Sequence, residues 1–123
     1  MWQDSRALVK IIFEITSADK FSKEFFLKDQ IKRSSISIMS NIAEGFGRGG
    51  NKEFIHFLFI ANGSLNELKS QLYIAFDLQL INIERLDTIL AHLLKIENMI
   101  KALVRSMKDS EYTGSKYKIV SEP

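Results

Sequence analysis

The only proline in this 123-residue sequence is its last residue, Pro123. Proline removes a backbone donor and clashes with the preceding helical turn, so a chain that runs this far without one is free to form long helices. The apolar residues fall where such helices need them. Leu8, Ile11, Ile12 and Ile15 share one face of a segment from about Gln3 to Thr16. Ile31, Ser35, Ile38 and Ile42 are in register between about Lys28 and Gly45. A third segment, from about Lys52 to Leu78, carries Phe54, Leu58, Ala61, Leu65, Leu68, Leu72 and Ala75. The fourth, from about Ile83 to Met107, carries Leu86, Ile89, Leu93, Ile96, Ile100, Val104 and Met107. Recurrence every three or four residues marks an amphipathic helix, and no run alternates as a strand would.

The links between these segments are short. Ser17-Ala18-Asp19-Lys20 breaks the first helix, and Gly47-Arg48-Gly49-Gly50-Asn51 predicts a tight turn with Asn51 as the next N-cap. Asn82 is placed to cap the fourth helix. Short links set neighbouring helices antiparallel, so the expected fold is all-α, an up-down-up-down four-helix bundle over residues 1–108. Residues 109–123 are polar and aperiodic and predict a disordered tail. One domain of this length can bury a core of its own. Hydrophobic residues at 46% and charged residues at 26% suit a globular chain.

Several function classes drop out on composition. Without cysteine there is no disulfide frame, no thiolate nucleophile and no cysteine-based metal site. Met1 to Lys10 is mixed and charged, unlike a signal peptide. The uncharged stretch from Phe54 to Asn66 falls short of the roughly 20 apolar residues that span a bilayer. A cytoplasmic protein is expected. His56 and His92 lack partners at metal-binding offsets, and no Ser-His-Asp set can be assembled by spacing. Gly45-Phe46-Gly47-Arg48-Gly49-Gly50 fits G-x-G-x-x-G, but a helix precedes it where a dinucleotide site needs a strand. No catalytic residue, cofactor or metal is therefore expected.

Binding surfaces are better represented. Trp2, Val9 and Phe13 form a second apolar stripe on the first helix, and Ile55, Phe59 and Ile74 form one on the third, with Gly63 beside them. Such stripes predict a homo-oligomer interface; an irregular bundle that buries them itself is the alternative. Arg33, Ser37, Asn41, Glu44 and Arg48 make a polar stripe on the second helix, with Glu44 and Arg48 spaced for an ion pair and Glu67 placed opposite Arg33. A structural hydrogen-bonded network is the favoured reading of that stripe, over ligand binding or a plain solvated face. Two basic groups, Lys28 with Lys32 and Arg33, and Lys101 with Arg105 and Lys108, are spaced to meet successive phosphates. Either group is also read as an ordinary charged face. The net charge of +2 permits a nucleic-acid partner without requiring one.

The stretch from Gln30 to Arg48, QIKRSSISIMSNIAEGFGR, closely resembles the bacterial 23S rRNA-intervening-sequence proteins. Their pattern runs Q-hydrophobic-x-R and then S-I-P-x-N-I-A-E-G-x-x-R. Trp2-Gln3, Phe54, Phe57-Leu58 and the Ala61 to Leu68 segment extend the match to about Ile83, while Met39 stands where the family has proline. The resemblance implies an antiparallel four-helix bundle and a closed homo-oligomer, typically a pentameric ring. It also implies nucleic-acid association, since more distant relatives accompany retroelement reverse transcriptases. The expected function is a non-enzymatic oligomer that binds RNA or DNA through phosphate contacts from Lys28, Lys32, Lys101, Arg105 and Lys108. The alternative is a protein-interaction scaffold with no direct nucleic-acid contact.

Overall fold

The computed structural model describes residues 1–121, with side chains as far as Ser110. It contains α1 (Trp2–Thr16), α2 (Asp19–Ser22), α3 (Phe25–Gly47), α4 (Asn51–Asp77) and α5 (Ile83–Ser121). No strand occurs among the described residues, and no described helix is long and apolar enough to cross a membrane. The predicted apolar faces are the buried ones. Leu8, Ile12, Ile31, Ile38, Leu58, Leu65, Leu68, Leu72, Ile89, Leu93 and Ile96 are all fully enclosed. Burying a residue of this size stabilises by about 1.5–3 kcal/mol, so the core and not local propensity holds the helices.

The helix ends follow local chemistry. Thr16 ends α1 with its Oγ1 donating to the Ile12 carbonyl at 2.8 Å. Between α1 and α3 the chain makes the single turn α2, whose Phe21 is driven into the core. A four-residue helix shows no periodicity, which is why the sequence pattern shows only a break there. The Asn51 cap is corrected: Gly50, in extended conformation, takes the N-cap position, and Asn51 is the first helical residue. Gly49 at φ +83° makes the turn before it, a conformation that costs glycine little. At the far end of α4, Gln79 is left-handed at φ 61°. Leu80 N–H donates to the Ala75 carbonyl and Gln79 N–H to that of Phe76, both at 2.9 Å, which is the Schellman pattern. Asn82 caps α5 as expected, its Oδ1 accepting from Arg85 N–H at 2.8 Å. α5 continues past Met107, where the apolar pattern ends. The side chains of the expected tail beyond Ser110 lie outside the described residues.

α1 packs on α3 and α5, and α4 packs on the same two, so α1 and α4 occupy opposite corners. The contact of α3 with α4 is the most extensive. The two helices approach closely at Gly45, where any Cβ would stand 2.8 Å from Phe57 Cβ. α3 runs unbroken through Met39, whose backbone N–H a proline would remove.

Candidate nucleic-acid interface

Lys101, Arg105 and Lys108 lie at offsets of four and three, one stripe of α5. All three are exposed, while the neighbouring Ile100 and Val104 turn into the core. Across from them α4 presents Phe59 and Asn62, and between the two helices lies a groove of about 430 Å³ whose lining also includes Asp109. The Lys108 ammonium sits 5.3 Å from the Phe59 ring centroid, inside cation–π range. Lys101 Nζ lies 3.8 Å from Glu97 Oε1, a loose surface pair worth little. Asn62 Oδ1 is buried and has no hydrogen-bond partner.

The second basic group is not part of this groove. Lys28 Nζ donates to the Ser22 carbonyl at 3.1 Å and lies over the Phe25 ring. Lys32 Nζ lies 4.4 Å from the Phe13 centroid. Phe13 is late in α1, whereas Leu103 of α5 shares an apolar hollow with Met1 and Trp2 at the start of α1. At about 1.5 Å per residue, Trp2 and Phe13 are roughly 16 Å apart along the helix. The two basic groups thus sit at different ends of the protomer. Near the Trp2 end, Lys95 Nζ approaches Asp4 Oδ1 at 3.1 Å and links α1 to α5. The hydrogen bond from Lys95 holds the Asp4 carboxyl below its ordinary value, against the opposing effect of burial and with further help from the N-terminal ammonium.

The polar stripe of α3 divides into three pieces. Ser37 Oγ and Ser64 Oγ share a hydrogen bond at 2.7 Å, and Asn41 Nδ2 donates to the Ser37 carbonyl at 2.8 Å and to Ser37 Oγ at 3.1 Å. Glu44 pairs with Arg48 at 2.8 Å, with Glu53 4.0 Å away on the other side of the guanidinium. Arg33 departs from expectation: it bonds Asp29 at 2.8 Å and does not reach Glu67. Asp29 is one turn back on the same helix, so the pair forms without ordering a side chain across the interface. Ser64, not Glu67, supplies the α4 partner. Its position on the face of Ala61 and Leu68 was the available signal.

Of the apolar stripes, Trp2, Phe13, Phe59 and Ile74 are exposed at 40–55%, Val9 is half-buried, and Gly63 has open space beyond its Cα. Ile55 is corrected to the core at 9% exposure. It stands about 60° from Leu58 on the helix wheel, and a helix that packs on two neighbours buries an arc wide enough to include it. Met1, Trp2, Ile42, Ala43, Phe46, Phe54 and Leu103 line a second hollow of about 580 Å³, almost wholly apolar. His56 is exposed and His92 half-buried. No group of three or more His, Cys, Asp or Glu side chains among the described residues is placed to hold a metal ion.

No curated protein matches the chain. A similar solved structure is the crystal structure of a protein with unknown function from the S23 ribosomal protein family of Bacteroides thetaiotaomicron. It is 26% identical, with a TM-score of 0.76 over 84% of this chain and 96% of that one. The family model described as 23S rRNA-intervening sequence protein matches residues 1–102, a span that takes in the Gln30–Arg48 stretch, the Gly45 contact and the Ser37–Ser64 bond. The chain therefore belongs to the family of 23S rRNA-intervening sequence proteins.

Proposed function

We propose that the protein is a non-enzymatic, homo-oligomeric, antiparallel four-helix bundle that associates with RNA or other nucleic acid in the cytoplasm through phosphate contacts. The antiparallel order is supported by how contacts progress along the helices. Ser37 meets Ser64, Gly45 meets Phe57, and Arg48 meets Glu53. Likewise Trp2 shares a hollow with Ala43, while Phe13 meets Lys32. In both pairs a step forward on one helix is a step back on the other.

The observation that carries the nucleic-acid reading is the exposed Lys101–Arg105–Lys108 stripe beside a groove. Cations one turn apart meet successive phosphates, and in a ring of +2 subunits the field of each stripe adds to the others. Lys28 and Lys32 supply a further contact from the other end of each protomer. A protein-scaffold role is the second reading, favoured by the apolar hollow around Trp2 and Phe46, since apolar surface of this kind marks interaction sites.

Structured ribosomal RNA titrated into the protein at two salt concentrations tests the first reading. Binding at low salt that falls steeply at high salt, and that is lost in a Lys101→Glu/Arg105→Glu variant of unchanged mass, is the expected result. Absence of binding at both salts sinks it and leaves the scaffold reading.

A further inference from the structure

The groove between α4 and α5 contains more than a phosphate stripe requires. A surface that only neutralises a backbone needs cations. This one also has an exposed aromatic ring. Phe59 is 55% exposed on a helix whose other aromatic side chains near the groove's end of the bundle, Phe54 and Phe57, are partly buried. Its face is turned to the Lys108 ammonium, not packed under apolar neighbours. Asn62 lies one turn further along α4 and lines the same groove.

We propose that this groove holds one unpaired nucleotide of a single-stranded segment, with its base stacked on Phe59 and its flanking phosphates on Lys101 and Arg105. The inference rests on the nucleic-acid reading above and gives that reading a substrate class. Only an unpaired base offers a free face to a ring; a duplex hides it. About 430 Å³ is room for one nucleotide. The Asp109 carboxylate in the lining of the groove repels phosphate and leaves the backbone to the Lys101–Arg105 side. Lys108 covers the ring in the free protein and moves aside as the base arrives. Phe59 thereby leaves the set of oligomer contacts, and the outer face of α4 keeps Gly63 and Ile74.

Fluorescence anisotropy with a labelled oligouridylate, a single strand with little structure of its own, and with an RNA duplex of equal length tests this. Phe59→Leu keeps the apolar bulk and removes the π-face. The expected result is a loss of about tenfold in oligouridylate affinity with little change for the duplex. The salt slope should stay constant in Phe59→Leu and fall by about one in Arg105→Ala. An unchanged affinity in Phe59→Leu, with weakening in Arg105→Ala, overturns the inference and leaves the phosphate reading standing. A fall in oligomer mass for Phe59→Leu by light scattering also overturns it, because the ring would then belong to a subunit contact. If the wild type binds neither RNA, the nucleic-acid reading fails and the inference fails with it.

Discussion

An alanine at Gly45 would place its methyl carbon 2.8 Å from Phe57 Cβ and 3.0 Å from Phe54 Cδ1. The Phe54 ring can rotate away, but Phe57 Cβ is fixed to the backbone of α4, so the helices would have to separate. Overpacking of this sort costs about 1–3 kcal/mol, while alanine in place of glycine inside a helix gains about 1 kcal/mol. The net expectation for Gly45→Ala is a loss of about 1 kcal/mol, read as a lower denaturant midpoint. Two residues on, Gly47 has nothing within 4 Å and no positive φ. Gly47→Ala should leave the midpoint unchanged or raise it. The opposite signs at two glycines of one short motif separate close approach from mere flexibility. The sequence showed both as glycines at a helix end; only the partner helix distinguishes them.

The joint between α4 and α5 shows the same division at the level of elements. Asn82 was legible as a cap because a side-chain acceptor three residues before a free N–H is a local signal. Gln79 was not, because nothing about glutamine announces a left-handed residue. That conformation costs a residue with a Cβ about 1–2 kcal/mol, and glycine avoids it. Gln79→Gly should therefore raise the stability by about 0.5–1 kcal/mol, read as a higher denaturant midpoint, after glycine's larger unfolded-state entropy is set against the relief. A midpoint that falls would mean the glutamine side chain contributes more than its backbone costs. The four long helices themselves were readable because each holds several turns of apolar residues at helical spacing. α2 has one turn, and its Phe21 anchor looks like any aromatic until the core that receives it exists.

At the scale of the whole molecule, assembly depends on which corners carry the exposed apolar residues. Trp2 and Phe13 belong to α1, Gly63 and Ile74 to α4, and those helices occupy opposite corners of the protomer. The site was half legible for the same reason: stripes along one helix follow from spacing, whereas the meeting of Asn62 and Phe59 with Lys101 and Arg105 needs two helices in place. If these two unlike patches meet one another, the contact is head to tail, and a head-to-tail contact closes into a ring when the rotation between subunits allows it. Light scattering of the wild type should show one defined oligomer, five subunits on the family pattern. Trp2→Glu spoils the α1 patch, and Gly63→Leu blocks close approach at α4, where open space surrounds the glycine. Each variant alone should be monomeric. Mixed in equal amounts they should form a dimer, because the first retains a working α4 patch and the second a working α1 patch. A two-fold interface would require both faulty surfaces at once and would leave the mixture monomeric. A wild type that is itself monomeric at micromolar concentration removes the ring and, with it, the summed field on which tight phosphate binding depends.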